Sequence, residues 1–195
     1  MKCLHFKGGF PYCTNCFLLI SDAKTAVAID PAADIKYYDD ALTQYGANLS
    51  AIFLTHGHND HTGTVKELVK KYSPKVYIEK SDSVLFNIKA DEFFVDDEKI
   101  NFDEMTFEIT TTPGHTPGSV CIKIEDMLFT GDTLFDGDTG RTDLKGGDSE
   151  AMRNSIIKLC RKITDNPQIY PGHEEFSDMD TQKKYNSYIC LLGEF

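Results

Sequence analysis

Apolar and polar positions along this chain follow two periods. Residues 17–20, 25–29, 51–55 and 75–78 are short, almost continuously apolar or β-branched runs of buried-strand length. Between them, residues 34–45 place Ile35, Tyr38, Leu42 and Tyr45 on one helical face, and Gly46 follows as a stop suited to the left-handed conformation. Thr64-Val65-Lys66-Glu67 has the pattern of a capping box, and Val65, Leu68, Val69 and Tyr72 keep helical spacing as far as Ser73-Pro74. Residues 81–99 are acidic and show neither period. Residues 107–112 read as a strand, and 120–124 and 127–130 as hairpin arms around Glu125-Asp126. Asp148 caps an expected helix with Met152, Ile156, Leu159 and Ile163 on one face, ended by Asn166-Pro167. Residues 168–170 read as a short strand and 178–189 as a weaker helix. This mixture excludes an all-α fold, and the lack of strict βαβ alternation argues against a plain doubly wound sheet.

Four of the strand-like runs end on side chains that bind metals. After 51–55 comes His56-Gly57-His58-Asn59-Asp60-His61; the others lead to Pro113-Gly114-His115, Gly131-Asp132 and Pro171-Gly172-His173. Strand ends are held by a sheet, so loops leaving them can converge on one rim. In extended chain, residues i and i+2 face the same way, so His56 and His58 can share one ion. Asp60 and His61 lie where the chain turns into a helix and can face a second. His115 can complete the first group and His173 the second, with Asp132 between them. A hydrolytic centre needs this donor set: neutral imidazoles, a carboxylate able to bridge and a position open to water. His5 has no partner nearby in sequence and is not expected to be a ligand. Asp60 is the candidate catalytic base. Arg141 is the candidate contact for a substrate anion, with pairing to Asp138 or Asp143 as the alternative, and Lys145 is a second candidate.

Composition narrows the partners. The 31 acidic and 20 basic residues give a formal charge of −11, which argues against nucleic acid as a partner. A small-molecule substrate at a cationic metal site remains compatible with that charge. At 195 residues with 41% hydrophobic content, the chain is expected to be one domain, residues 1–195, with a buried core. No apolar run approaches the ~20 residues that span a bilayer, and the first residues lack a signal-peptide core, so a cytoplasmic protein is expected. The six cysteines fit a reduced thiol set better than a disulfide framework. Cys13 and Cys16 form a C-x-x-C, readable as a redox pair or half a zinc site, but Cys16 opens an apolar run and reads as a small buried hydrophobe. The oligomeric state is left open.

These motifs resemble the metallo-β-lactamase superfamily, and within it the glyoxalase II-like (hydroxyacylglutathione hydrolase-like) metallohydrolases. The resemblance covers nearly the whole chain: Thr14-Asn15-Cys16, Ala28-Ile29-Asp30-Pro31, the run from Thr55 to His61, Thr112 to Ser119, Gly131 to Phe135, Gly140 to Leu144, and Tyr170 to His173. It implies an α/β fold, an αββα four-layer sandwich of two mixed sheets flanked by helices, with metals at one edge. It implies two divalent ions, zinc by default with iron or manganese as alternatives. His56, His58 and His115 would hold one ion and Asp60, His61 and His173 the other, with Asp132 bridging and Asp30 orienting the first-motif loop. The implied activity is water activation against a thioester, ester or lactone. Persulfide dioxygenase relatives, which use one iron, and phosphodiesterases are the alternatives. The common dizinc lactamases carry cysteine at the Asp132 position, which turns the expectation away from lactams. Only 22 residues follow His173, against the extra helical domain of a full glyoxalase II, and Glu174-Glu175 stands where shorter relatives often have Gly-Pro.

Overall fold

The computed structural model describes residues 1–193; Glu194 and Phe195, the last positions of the expected 1–195 span, lie outside them. The first half of the chain forms a six-stranded sheet in sequence order: β1 (Lys2–Lys7), β2 (Asn15–Ile20), β3 (Thr25–Ile29), β4 (Asn48–Phe53), β5 (Lys75–Glu79) and β6 (Glu92–Phe94). The first two pairings are antiparallel and the remaining three parallel. Parallel neighbours need crossovers. These contain α1 (Ile35–Tyr45), then α2 (Asn59–Thr62) and α3 (Val65–Tyr72), then α4 (Lys80–Phe86). From β3 to β6 the chain therefore does alternate strand and helix, more regularly than the sequence pattern suggested.

The second half forms a second sheet from β7 (Lys99–Phe102), β8 (Met105–Thr111), β9 (Val120–Ile124), β10 (Met127–Gly131), β11 (Gln168–Pro171) and β12 (Ser177–Asp178), again in sequence order. Its one parallel pair, β10 with β11, is connected through α5 (Ser149–Lys162). The chain then runs into α6 (Met179–Tyr185) and α7 (Ser187–Leu192).

Three apolar clusters show how the layers stack. On β2, Cys16, Leu18 and Ile20 pack with Tyr38 and Leu42 of α1 and Leu68 of α3. The alternate residues Phe17 and Leu19 point the other way and pack with Phe107, Ile109 and Phe129 of the second sheet. Beyond that sheet, Cys121, Leu128 and Ile169 meet Met152, Ile156 and Leu159 of α5. The order is helices, sheet, sheet, helices, which is the expected αββα sandwich. A strand buried on both faces needs apolar residues at every position, which is why β2 reads as an unbroken run. Phe53 anchors the middle layer, its ring within 6.0 Å of those of Tyr77, Phe94, Phe102 and Phe107.

Three local expectations are corrected. The Thr64 hydroxyl does not cap α3; it donates to the Ala33 carbonyl and ties the helix start to the segment before α1. The stretch 81–99 resolves into α4 and β6. The helix expected over 178–189 is broken at Asn186, whose side chain accepts from the Tyr188 and Ile189 amides and so caps α7.

Candidate metal centre

The strand ends β4, β8, β10 and β11 deliver the four histidine- and aspartate-bearing loops to one edge of the sandwich. Two groups of ligand atoms form there, each with all its atoms within 4.8 Å: His56, His58 and His115, and Asp60, His61 and His173. These are the two sets the spacing suggested. Asp132 lies between them. Its Oδ1 is 3.3 Å from His61 Nε2 and its Oδ2 is 3.3 Å from His115 Nε2. Asp60 enters at the start of α2 and its Oδ2 is 3.2 Å from His173 Nε2.

Three of the five imidazoles are oriented from behind by oxygen acceptors. His115 Nδ1 donates to the Arg141 carbonyl at 2.7 Å, and His173 Nδ1 to the Tyr12 carbonyl at 3.0 Å. A carbonyl can only accept, so both rings carry their proton on Nδ1 and turn Nε2 inward. His61 Nδ1 meets Asp30 Oδ2 at 2.9 Å. The same aspartate accepts from the Thr55 amide at 2.7 Å and the Thr55 hydroxyl at 2.6 Å. A third grouping, Asp30, His56 and His61, also satisfies the distance limit. Both Asp30 oxygens are already engaged, however, so its chemistry is that of an orienting group. Such backing partners are what a histidine metal site requires.

The electrostatics point the same way. Burial pushes His56 well below the ordinary imidazole value, and the neighbouring His61 adds to the effect. Burial also lowers His58, with His115 beside it. For His61, burial is outweighed by the Asp132 and Asp30 carboxylates and the value rises well above normal. For His173, burial is outweighed by Asp132 and Asp60, and the value is raised to about 9. Asp132 is held well down, burial being outweighed by His61 and His173. His56 and His58 are therefore neutral nitrogen donors, whereas His61 and His173 hold protons against the ionised Asp132 and Asp60 carboxylates, protons that a bound cation would displace.

Do these residues fit metal ions? Three buried side-chain polar atoms among the described residues lack a hydrogen-bond partner, and two of them, His56 Nε2 and Asp132 Oδ1, lie in this centre. Orphaned buried donors and acceptors cost about 1–3 kcal/mol each, and a cation would satisfy both. Gly172 gives further support. A β-carbon there would run into Asp132 Oδ1 and come within 2.5 Å of His61 Cε1, so the chain passes against the centre where no side chain fits. Nitrogen and carboxylate donors in two groups suit zinc, and also iron or manganese.

The other sequence candidates fall elsewhere. The Arg141 guanidinium is exposed and forked onto Asp143, with Nε–Oδ1 at 2.6 Å and Nη2–Oδ2 at 2.8 Å, one of the two alternatives expected. What Arg141 brings to the centre is its carbonyl. Lys145 Nζ borders the Leu85 carbonyl at 3.5 Å on the exposed surface. His5 bonds Asn15 and joins neither histidine group. Cys16 is buried and accepts from the Ala32 amide, whereas Cys13 is exposed. Neither thiol joins a metal-binding group among the described residues. Sequence reasoning missed Asp82, a fully buried aspartate on α4 that bonds both histidine loops. Its one signal was an acidic residue two positions ahead of apolar Val84 and Leu85, in a stretch with no readable period.

Comparison with known proteins agrees with this geometry. A model of the Metallo-beta-lactamase superfamily matches residues 11–173. A hydroxyacylglutathione hydrolase of Haemophilus influenzae is 32% identical over 90% of this chain and 92% of its own length. A probable polyketide biosynthesis zinc-dependent hydrolase of Bacillus velezensis is 32% identical, over 86% of this chain and 76% of its own. Among solved structures, the BLEG-1 B3 metallo-beta-lactamase superposes with a TM-score of 0.86 at 29% identity, covering 96% of this chain and 99% of that one.

Proposed function

The chain belongs to the metallo-beta-lactamase superfamily, and from that premise we propose that it is a hydrolase of a small thioester, ester or lactone, working through two divalent ions. The observation that carries this reading is the position of Asp132. Its two oxygens face the two ligand groups, each 3.3 Å from a histidine of one of them. His56, His58 and His115 would hold one ion and Asp60, His61 and His173 the other, with Asp132 shared and Asp30 fixing His61. When bound, such ions lower the pKa of water toward neutrality and draw charge from a substrate carbonyl oxygen.

The chain's own residues supply the rest. Burial raises the Asp60 carboxyl but His173 outweighs it, so Asp60 is ionised at neutral pH. It is only partly exposed, and it accepts a hydrogen bond from the attacking water and passes the proton on toward the leaving group. The Asp30–His61 and Arg141–His115 contacts keep the ligand rings from turning as charge develops. Arg141 and Lys145 are assigned to an anionic end of the substrate, Arg141 by exchanging the Asp143 carboxylate for that of the substrate. The similarity to the Haemophilus influenzae hydroxyacylglutathione hydrolase supports a thioester. The similarity to BLEG-1 favours a second reading, lactam hydrolysis. No helix among the described residues is long and apolar enough to cross a membrane, and the acidic surface fits a small substrate rather than nucleic acid.

The test is a panel of thioester, ester, lactone, β-lactam and phosphodiester substrates given to zinc-loaded protein. The proposal expects turnover of at least one of the first three, falling by about 10²-fold or more in Asp60→Asn, as for loss of a general base. Turnover of the lactam alone selects the second reading. Turnover of the phosphodiester alone, or full activity in Asp60→Asn, contradicts the proposal.

A further inference from the structure

The two ligand groups are supported unequally by what the sequence reveals. His61 has Asp30 behind it, whereas His56 and His58 lie on a loop whose middle residue, Gly57, carries no side chain to anchor it. That anchor comes from α4. The Asp82 carboxylate, with no exposed surface, accepts from the Gly57 amide at 2.8 Å through Oδ2. The same oxygen accepts from the Thr116 hydroxyl at 2.7 Å, and Oδ1 accepts from the Gly118 amide at 2.7 Å. Thr116 and Gly118 follow His115 directly, so one carboxylate joins the His56–His58 loop to the His115 loop. One helical turn along α4, the Phe86 ring lies edge-on to His58 at 5.0 Å. That ring also fills the space a β-carbon on Gly57 would need. Gly118 is closed off in the same way, since a β-carbon there would come within 2.8 Å of the Asp82 carboxyl. Both glycines thus lie tight against α4 and its capping residue, Gly57 under the Phe86 ring and Gly118 against Glu79 and Asp82.

We propose that Asp82 is a positioning residue for the three-histidine half of the centre, setting the spacing at which His56, His58 and His115 hold one cation without itself being a ligand. The inference rests on the metal-centre reading above. A carboxylate accepting three hydrogen bonds in a dry site fixes its partners strongly. Removing it frees the Gly57 amide and the Thr116 hydroxyl together and lets the two loops drift relative to each other. The effect is confined to one ion, because His61 and His173 are held by Asp30 and the Tyr12 carbonyl.

The experiment titrates chelator-stripped protein with zinc in two backgrounds, His173→Ala to isolate the three-histidine group and His58→Ala to isolate the other. In the first, Asp82→Ala is expected to weaken zinc by about 10- to 100-fold, as for loss of an outer-shell partner. In the second it should leave affinity within about twofold, because Asp82 hydrogen-bonds none of the ligands of that group. Asp82→Asn, which keeps the shape and part of the acceptor capacity, should recover part of the loss. Equal weakening in both backgrounds would make Asp82 a general stability residue and overturn the proposal, as would unchanged affinity in both. Should Asp82→Ala fail to fold, Thr116→Val removes one of the three bonds without changing size. It must then weaken only the three-histidine background, and an unchanged value there overturns the proposal. A parent protein that takes up no zinc would instead refute the metal centre itself.

Discussion

Gly172 shows how little freedom single residues have at the centre. Its α-carbon passes so close to Asp132 and His61 that alanine would push one of them aside. Overpacking of this kind costs about 1–3 kcal/mol. Gly172→Ala is accordingly expected to lower the melting temperature of the chelated protein by several degrees and to reduce bound zinc, read by calorimetry and metal analysis on the same sample. A variant with normal zinc content would show that the chain does not press on the site. The ligand residues were legible because they are local: three histidines and an aspartate within six positions, each other ligand directly after a strand. Asp82 was not legible. Its partners are 25, 34 and 36 positions away, and nothing nearby in sequence marks it as buried. Arg141 was undecided for a related reason, since charge pattern alone does not choose between Asp143 and a substrate; the fork geometry shows the Asp143 pairing, which a substrate carboxylate would have to displace.

Elements matter here through where they stop. The run 51–55 was visible as a strand, but β4 ends at Phe53, and the Thr55 carbonyl instead accepts the Val120 amide at the head of β9. This bond links the two sheets beside the histidine loop. Asn186 divides the last helical stretch because its buried amide is also needed elsewhere, donating to the Asp138 carbonyl at 3.0 Å and the Gln182 side chain at 2.9 Å. The helix α5 is fastened to the strand that carries His115 by Lys158, which contacts both Asp96 oxygens at 2.7 Å and the Thr111 carbonyl at 2.9 Å. Burial raises the Asp96 carboxyl, but Lys158 and the Thr111 amide outweigh it and hold it below the usual carboxylate value. A carboxyl depressed in the folded state contributes stability that is full above its unfolded pKa, about 4, and is lost as the pH falls through the folded value. The pair is partly exposed, so the contribution is under about 1 kcal/mol. Urea midpoints of Asp96→Asn should therefore fall below those of the parent at pH 7 and draw toward them as the pH falls below about 4. A constant difference would place the effect outside this ion pair.

The whole molecule joins two halves whose loops meet at one edge. The first sheet contributes His56, His58, Asp60 and His61; the second contributes His115, Asp132 and His173. Between the sheets, Phe53 with its four aromatic neighbours sets the distance between those halves. Phe53→Ala would remove that spacer at a cost of about 3–5 kcal/mol. The four-layer order was not derivable from periodicity, because a strand buried on both faces looks the same in one sheet or two. It followed from the resemblance carried by the motifs, and the three apolar clusters account for it physically. Ions held between the halves would bind only the folded chain, so chelation should lower the melting temperature and restored zinc should raise it. The most direct test counts metal. Protein purified without added metal, stripped and then titrated with zinc, should take up two equivalents per chain, falling to one in His58→Ala and one in His173→Ala. Uptake of one equivalent or none by the parent protein would contradict the shared two-ion centre on which this account depends.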